Sequence, residues 1–309
     1  MTYDNSKNLI CEQISNNDSL QKLRSKTDVI KNTNSKIKLI YFTDPICSFC
    51  WAIEPQFRKF KLDYQQHIEV EYRLGGLLKN WDRFKDGNNG ITCPMDVAEH
   101  WEEVAKYSDM SIDGDVWINS PLSSSYPSSI AYKALLNQSS KVALNYLRIV
   151  REMLFLEKRD ISDMKYILEA VTRSSADVNQ FIQDFKNPKS EEQFLGDIQM
   201  GKDMGIKGFP TFIFVNDEGL GFKLFGASEY DSYVQALEKA LGKKVAPIQH
   251  SFTEKGLVQT FKKLSTKEIS ILMNQQESET LNNLESLYKV GEIEKLQYKN
   301  GVFWAQANL

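Results

Sequence analysis

The 309-residue chain predicts an α/β fold with a helical insertion and a small C-terminal unit. Three stretches carry that reading. A strand–helix–strand pattern runs from Lys36 to Gly76, a series of helical patterns fills residues 126–205, and an apolar run follows Gly208-Phe209-Pro210-Thr211. Strands separated by helices bury a sheet between helical layers, and a helical block in the middle of such an alternation reads as an insertion.

The first strand is the apolar run Ile37, Leu39, Ile40, Tyr41, Phe42, closed by Pro45, which cannot donate to a sheet ladder. Trp51, Ile53, Phe57, Phe60, Leu62 and Tyr64 then recur at helical spacing, with Pro55 predicting a kink near the helix start. Ile68, Val70, Tyr72 and Leu74 alternate as a second strand ending at Gly75-Gly76. Two strands joined through one helix in this span form a βαβ unit with parallel strands.

Between the first strand and the helix stands Cys47-Ser48-Phe49-Cys50-Trp51. The spacing lets the two sulfurs reach each other across one turn. It also sets Cys47 at a helix N-terminus, where free N–H groups and the helix dipole favour a thiolate. Such a pair suits dithiol–disulfide exchange: Cys47, the more exposed and more acidic sulfur, attacks a disulfide, and Cys50 resolves the mixed disulfide. A zinc half-site or two inert buried thiols are the alternatives. Zinc needs two further ligands, and Cys11, Cys93, His67, His100 and His250 are scattered without ligand spacing. No metal and no organic cofactor is therefore expected.

Residues 77–125 are less regular, with Trp81, Phe84, a turn at Gly87-Asn88-Asn89-Gly90 and a helical stretch from Met95 to Tyr107. Trp101 and Trp117 are expected in the core, and Cys93 as a small buried residue. Helical patterns follow near Pro127–Leu136, Lys141–Phe155, Ser162–Thr172, Asp177–Asn187 and Ser190–Met204, with Ser162 as an N-cap. The whole insertion covers about residues 90–205 of a body spanning 36–242. Phe212 to Val215 reads as a strand, Asn216-Asp217-Glu218-Gly219 as a hairpin turn, Gly221 to Phe225 as its antiparallel return, and Tyr230 to Leu241 as a closing helix stopped by Gly242.

Residues 251–309 form a smaller unit. Ser265 and Glu268 make a capping box for a helix to Met273, Thr280 to Val290 gives a second helix, and Ile293 to Trp304 a hairpin around Lys299-Asn300-Gly301. That outline is winged-helix-like. Its second helix lacks arginine and carries Glu279 and Glu285, and the unit balances seven lysines with seven glutamates. Phosphate contacts supply most non-specific DNA affinity, so a protein–protein module is favoured over a nucleic-acid reader.

A net charge of −3 gives no pull towards nucleic acid or an acidic membrane, and nothing approaches the roughly 18 apolar residues that span a bilayer. Residues 1–35 read as a polar, flexible arm with a weakly helical segment from Leu20 to Ile30 and an incidental thiol at Cys11. The arm lacks the apolar core of a signal peptide, which predicts a cytoplasmic protein, and four cysteines do not make a disulfide scaffold.

The cysteine pair at a helix start, the inserted helices and Gly208-Phe209-Pro210-Thr211 before a strand resemble the DsbA-like branch of the thioredoxin superfamily. Within it the chain is similar to the cytosolic FrnE-like oxidoreductases and the YjbH (SpxH) adapters, on Tyr41 to Gly76, on Ser123-Ser124-Ser125-Tyr126-Pro127 and, for the adapters, on the tail Glu294 to Trp304. The resemblance implies a thioredoxin-like body with a cis bond before Pro210 facing the cysteines. It implies Phe209 and Pro210 holding a substrate chain, with Trp51 and the inserted helices shaping an apolar groove. It implies either a thiol–disulfide oxidoreductase acting on protein or small-molecule thiols and disulfides, or an adapter delivering the regulator Spx to the ClpXP protease. The Ser-Phe pair between the cysteines matches neither DsbA nor thioredoxin, so no redox potential carries over. A glutathione-transferase kappa-like role is disfavoured, since that relative usually has serine at the position of Cys47.

Overall fold

The computed structural model describes residues 12–14, 36–82, 84, 86 and 89–307. The predicted helix at Leu20–Ile30 and Cys11 lie outside these residues. Part of the expected arm is a strand, β1 (Glu12–Ile14), which pairs antiparallel with β5 (Gly221–Phe225).

The central sheet has the order β1-β5-β4-β2-β3, with β2 at Ile37–Thr43, β3 at Ile68–Leu74 and β4 at Thr211–Val215. As the βαβ reading requires, β2 and β3 are parallel, in register from Ile37↔Ile68 to Thr43↔Leu74. The strand after Pro210 joins the same sheet, antiparallel to β2 from Lys38↔Val215 to Phe42↔Thr211, and turns back into β5 through Asn216–Gly219. Both faces are covered, which is why β2 and β4 are apolar almost throughout. Leu39, Tyr41, Phe212 and Phe214 enter the main core, whereas Ile40, Phe42, Ile213 and Val215 pack with Met204 on the opposite face.

The expected kinked helix is two helices, α1 (Ser48–Ala52) and α2 (Glu54–Asp63). Pro55 lies in the first turn of α2, where its missing N–H is no loss, and its ring cannot follow the carbonyl of the preceding turn. The segment therefore breaks at Ile53 rather than bending. Beside α2 on the same face of the sheet, α10 (Tyr230–Leu241) closes the core with Tyr233, which meets Phe57 and Phe60, and with Leu237, and stops at Gly242 in the left-handed region, φ +68°.

The insertion comprises α3 (Pro94–Ser108), α4 (Val116–Asn119), α5 (Tyr126–Leu136), α6 (Ser140–Phe155), α7 (Met164–Arg173), α8 (Val178–Lys186) and α9 (Pro188–Asp203). Trp101 and Trp117 are core residues in edge contact with each other. Two local expectations change. Asp163, not Ser162, caps α7, its carboxylate accepting the Lys165 N–H at 2.8 Å. Cys93 is exposed rather than buried, because it is the N-cap of α3 and the chain before it runs along the surface.

Residues 254–306 build α11 (Glu254–Phe261), β6 (Lys263–Ser265), α12 (Thr266–Met273), α13 (Glu277–Lys289), β7 (Ile293–Tyr298) and β8 (Gly301–Gln306), with the sheet order β6-β8-β7. The capping box is present: Ser265 Oγ accepts the Glu268 N–H at 3.0 Å and Glu268 Oε2 accepts the Ser265 N–H at 2.9 Å. Helix α11 and strand β6 escape a reading that starts the unit's ordered elements at Ser265. Along β8, adjacent side chains serve two cores, as pleating demands. Trp304 packs in the local cluster with Leu257, Val258 and Leu284, whereas Phe303 enters the main core.

Candidate functional site

The site begins where β2 ends. Asp44 is fully buried, and its carboxylate organises the loop: Oδ1 accepts the Ile46 N–H at 3.1 Å, and Oδ2 accepts the Leu77 N–H at 2.8 Å and the Ser125 hydroxyl at 3.2 Å. One side chain thus joins the cysteine loop, the segment after β3 and the start of α5. Burial pushes this carboxyl up to about 6, with the three hydrogen bonds and Arg151 opposing. A carboxyl raised in the folded state above its unfolded value contributes stability that is present below pH 4 and lost as pH rises through 6. Wild type should therefore gain about 2 kcal/mol relative to Asp44→Asn when urea unfolding is moved from pH 7 to pH 4.5. Parallel stability–pH curves for the two proteins would refute that account of Asp44.

Cys47 caps α1 from an extended conformation, φ −75° and ψ 110°, and its Sγ accepts the Cys50 N–H at 3.2 Å. The Cys47 thiol in turn lies 3.6 Å from the carbonyl oxygen of Phe209, to which it can donate. The Phe209–Pro210 bond is cis. Cys47, Cys50, Phe209 and Pro210 are thus one constellation, with Cys47 and Phe209 162 residues apart in the chain, and the tip of the Phe209 ring points at Gly75, where a Cβ would stand 1.8 Å from Cζ. The close approach needs glycine there.

Exposure is 5% for Cys47 and 0% for Cys50, so Cys47 is the outer sulfur, but neither is open. Burial pushes the Cys47 thiol up. Burial also opposes ionisation of Cys50, but the Cys47 thiol, the Arg151 guanidinium and the hydroxyls of Thr43 and Tyr41 together hold Cys50 below its ordinary value. The expected ranking, with Cys47 the more acidic, is therefore reversed: the inner sulfur has more donors around it.

Trp51 does not shape a groove. Its ring is fully buried between Phe155 and Phe303, at centroid distances of 5.5 Å and 6.3 Å, with Nε1 donating to the Ser111 carbonyl at 3.0 Å. Helical spacing directed it into the core behind α1.

Beneath the pair lies a polar group that the sequence reading passed over. Arg151 of α6, 1% exposed, donates to Glu54 Oε1 at 2.8 Å, to Thr43 Oγ1 at 2.5 Å and to the Asp44 carbonyl at 3.2 Å. The signal was there: Arg151 falls on the stripe Leu147, Val150, Leu154 that α6 turns to the core, where a charge needs a buried partner. Among the described residues one group of three clustered carboxylates has metal-ligand spacing, Glu102, Asp113 and Asp115. The Lys299 ammonium sits among them, 2.8 Å from Glu102, 3.5 Å from Asp113 and 2.9 Å from Asp115, and acts as their counter-ion. No helix among the described residues is long and apolar enough to cross a membrane.

Residues 41–235 match the family model described as Thioredoxin. The chain is 30% identical over 285 residues to the ClpXP adapter protein SpxH of Halalkalibacterium halodurans, covering 91% of this chain and 93% of that one. It is 29% identical over 274 residues to the ClpXP adapter protein SpxH of Bacillus subtilis, covering 87% and 88%. Among solved structures, a candidate protein disulfide isomerase from Nitrosomonas europaea superposes with a TM-score of 0.59 at 15% identity, covering 67% of this chain and 98% of that one. A probable DsbA oxidoreductase from Streptomyces coelicolor does so at 0.52 and 14%, covering 70% and 94%. These two likenesses show the fold, a DsbA-type thioredoxin body with inserted helices. The chain belongs to the thioredoxin family and, within it, to the family of the SpxH proteins.

Proposed function

We propose that this chain is a cytoplasmic ClpXP adapter, a protein that binds the regulator Spx and promotes its degradation by the protease. The observation that carries the reading is coverage. Likeness to the SpxH adapters runs over 91% of the chain, whereas the family model ends at residue 235 and the Nitrosomonas structure covers 67%. At 91% coverage the likeness must reach past residue 235 into the C-terminal elements. The closed state of the cysteines agrees, since a sulfur 5% exposed presents little to an incoming disulfide.

In this reading the thioredoxin body and the C-terminal elements act as a docking surface, and partner binding does not require either thiol. Purified ClpXP and an Spx-type substrate, with and without the chain, make the test. Degradation should rise at least several-fold with wild type and as much with a Cys47→Ala/Cys50→Ala double variant. No stimulation by wild type removes the adapter reading.

A second reading, thiol–disulfide oxidoreductase, draws on the pairing of Cys47 with the Cys50 N–H and on the Phe209 carbonyl 3.6 Å from the Cys47 thiol. There Cys47 would attack and Cys50 resolve, with Phe209 and Pro210 holding the substrate chain. The same double variant separates the two: insulin reduction by wild type that vanishes in the variant supports the enzyme, and its absence in both supports the adapter alone.

A further inference from the structure

An alternating row of charges, buried at both ends and partly buried between, runs through the protein and ends at the cysteine loop. From the C-terminal elements inward, Glu268 meets Arg58 at 3.2 Å, Arg58 meets Glu54 at 3.4 Å, and Glu54 meets Arg151 at 2.8 Å. The row therefore ends on a cation. Glu54 is shared by two guanidiniums, so Arg151 is only partly neutralised by it. Of the five N–H donors of Arg151, the Nε one is buried without an acceptor. Burying a guanidinium is costly, and Arg151 meets that cost with one shared carboxylate, Thr43 Oγ1 and the Asp44 carbonyl.

We infer that Arg151 is the positioning residue of the cysteine pair: its guanidinium, brought in by the helical insertion, clamps the loop that carries Cys47 and supplies the positive charge against which the pair ionises. The clamp is the bond to the Asp44 carbonyl, backed by Thr43 Oγ1, which accepts from Arg151 and donates to the Tyr41 hydroxyl at 3.2 Å. The charge extends the alternation by one place when a thiol releases its proton to solvent. Other titratable groups face the pair. Tyr41 of β2 and Tyr233 of α10 are held neutral by burial, and Glu54 of α2 opposes ionisation, acting through Arg151. Asp44, whose carbonyl Arg151 holds, carries its own carboxylate away to Ile46, Leu77 and Ser125. Arg151 is thus the cation that Cys47 and Cys50 share.

The inference concerns the thiols alone and stands or falls apart from the adapter reading. Its test is the thiolate absorbance at 240 nm of the reduced protein against pH, in a chain whose Cys11 and Cys93 are replaced by serine so that only the pair reports. Arg151→Met should raise the first midpoint by one pH unit or more and slow alkylation at pH 7 about tenfold, the thiolate being the nucleophile. Arg151→Lys should fall between, since it keeps the charge and loses the fork. Glu54→Gln should move the midpoint down, because the guanidinium is then less neutralised. A residue that only held the fold would not give shifts of opposite sign. A folded Arg151→Met variant with an unchanged midpoint overturns the inference. If Arg151→Met does not fold, Glu54→Gln decides: a midpoint unchanged or raised overturns it equally.

Discussion

Glu268→Ala is expected to lower stability by about 3–5 kcal/mol, the cost of removing one member of a buried, hydrogen-bonded charge cluster. Glu268 is fully buried, yet three cationic or polar partners converge on it. Oε1 accepts from Arg148 Nη1 at 2.9 Å and Arg58 Nη2 at 3.2 Å, and Oε2 accepts from Arg148 Nη2 at 3.0 Å and the Ser265 N–H at 2.9 Å. Alanine removes the carboxylate between two guanidiniums, leaving Arg58 with Glu54 alone and Arg148 with Glu152 alone, and deletes the half of the capping box that holds the Ser265 N–H. Arg58 lies on α2 and Arg148 on α6, so the same change weakens the seam between the C-terminal elements and the thioredoxin body. Glu268→Gln should lose less, because glutamine still closes a capping box. Urea unfolding measures the first effect, and faster proteolytic release of residues after 250 the second. A loss below about 1 kcal/mol in Glu268→Ala would mean the cluster is solvated in a way that its burial contradicts.

The parts legible in the sequence are those governed by local pattern. Period-two and period-3.6 runs place β2, β3, β4 and most helices of the insertion, and Ser265 with Glu268 announces the start of α12. The constellation of Cys47, Cys50 and Pro210 is legible by resemblance, since nothing local in residues 48–209 says that the two ends meet. What escapes is decided by tertiary contacts. Trp51 follows a cysteine of the site and looks available to it, but helix α1 turns its ring inward to Phe303, a contact across 252 residues. Cys93 looks like a small core residue but caps α3 at the surface. Arg148 reads as an ordinary charge of an amphipathic helix, whereas Arg151 already falls on the core stripe; packing supplies their partners, Arg151 against Glu54, Thr43 and the Asp44 carbonyl, and Arg148 over the Trp51 ring at 4.5 Å and against Glu268. The acidity of the two sulfurs escapes for the same reason. The helix-start argument favours Cys47, whereas the hydroxyls and guanidinium that favour Cys50 come from β2 and α6.

Trp51→Ala is expected to cost about 3–5 kcal/mol and to open the cysteine pair, so that alkylation quickens even as stability falls. Truncation to alanine leaves a cavity where three parts of the chain meet. Phe155 stacks on Trp51 from α6, Phe303 from β8, and Arg148 covers its ring at 4.5 Å. The indole also holds the Ser111 carbonyl at 3.0 Å, which alanine leaves unpaired. Trp51→Phe keeps the stacking and loses that bond, and should cost about 1–2 kcal/mol with little change at the sulfurs. The two variants therefore separate packing from hydrogen bonding, and alkylation separates both from global loss of stability. Quickening by Trp51→Ala must exceed that of a distant core variant of equal stability, for instance Leu284→Ala in the C-terminal cluster. If the two quicken equally, the sulfurs are reached by general unfolding and the ring does not specifically hold α1 closed. A larger effect for Trp51→Ala locates the closure of the cysteine pair in the packing of Phe303 and Phe155 against the residue that follows Cys50.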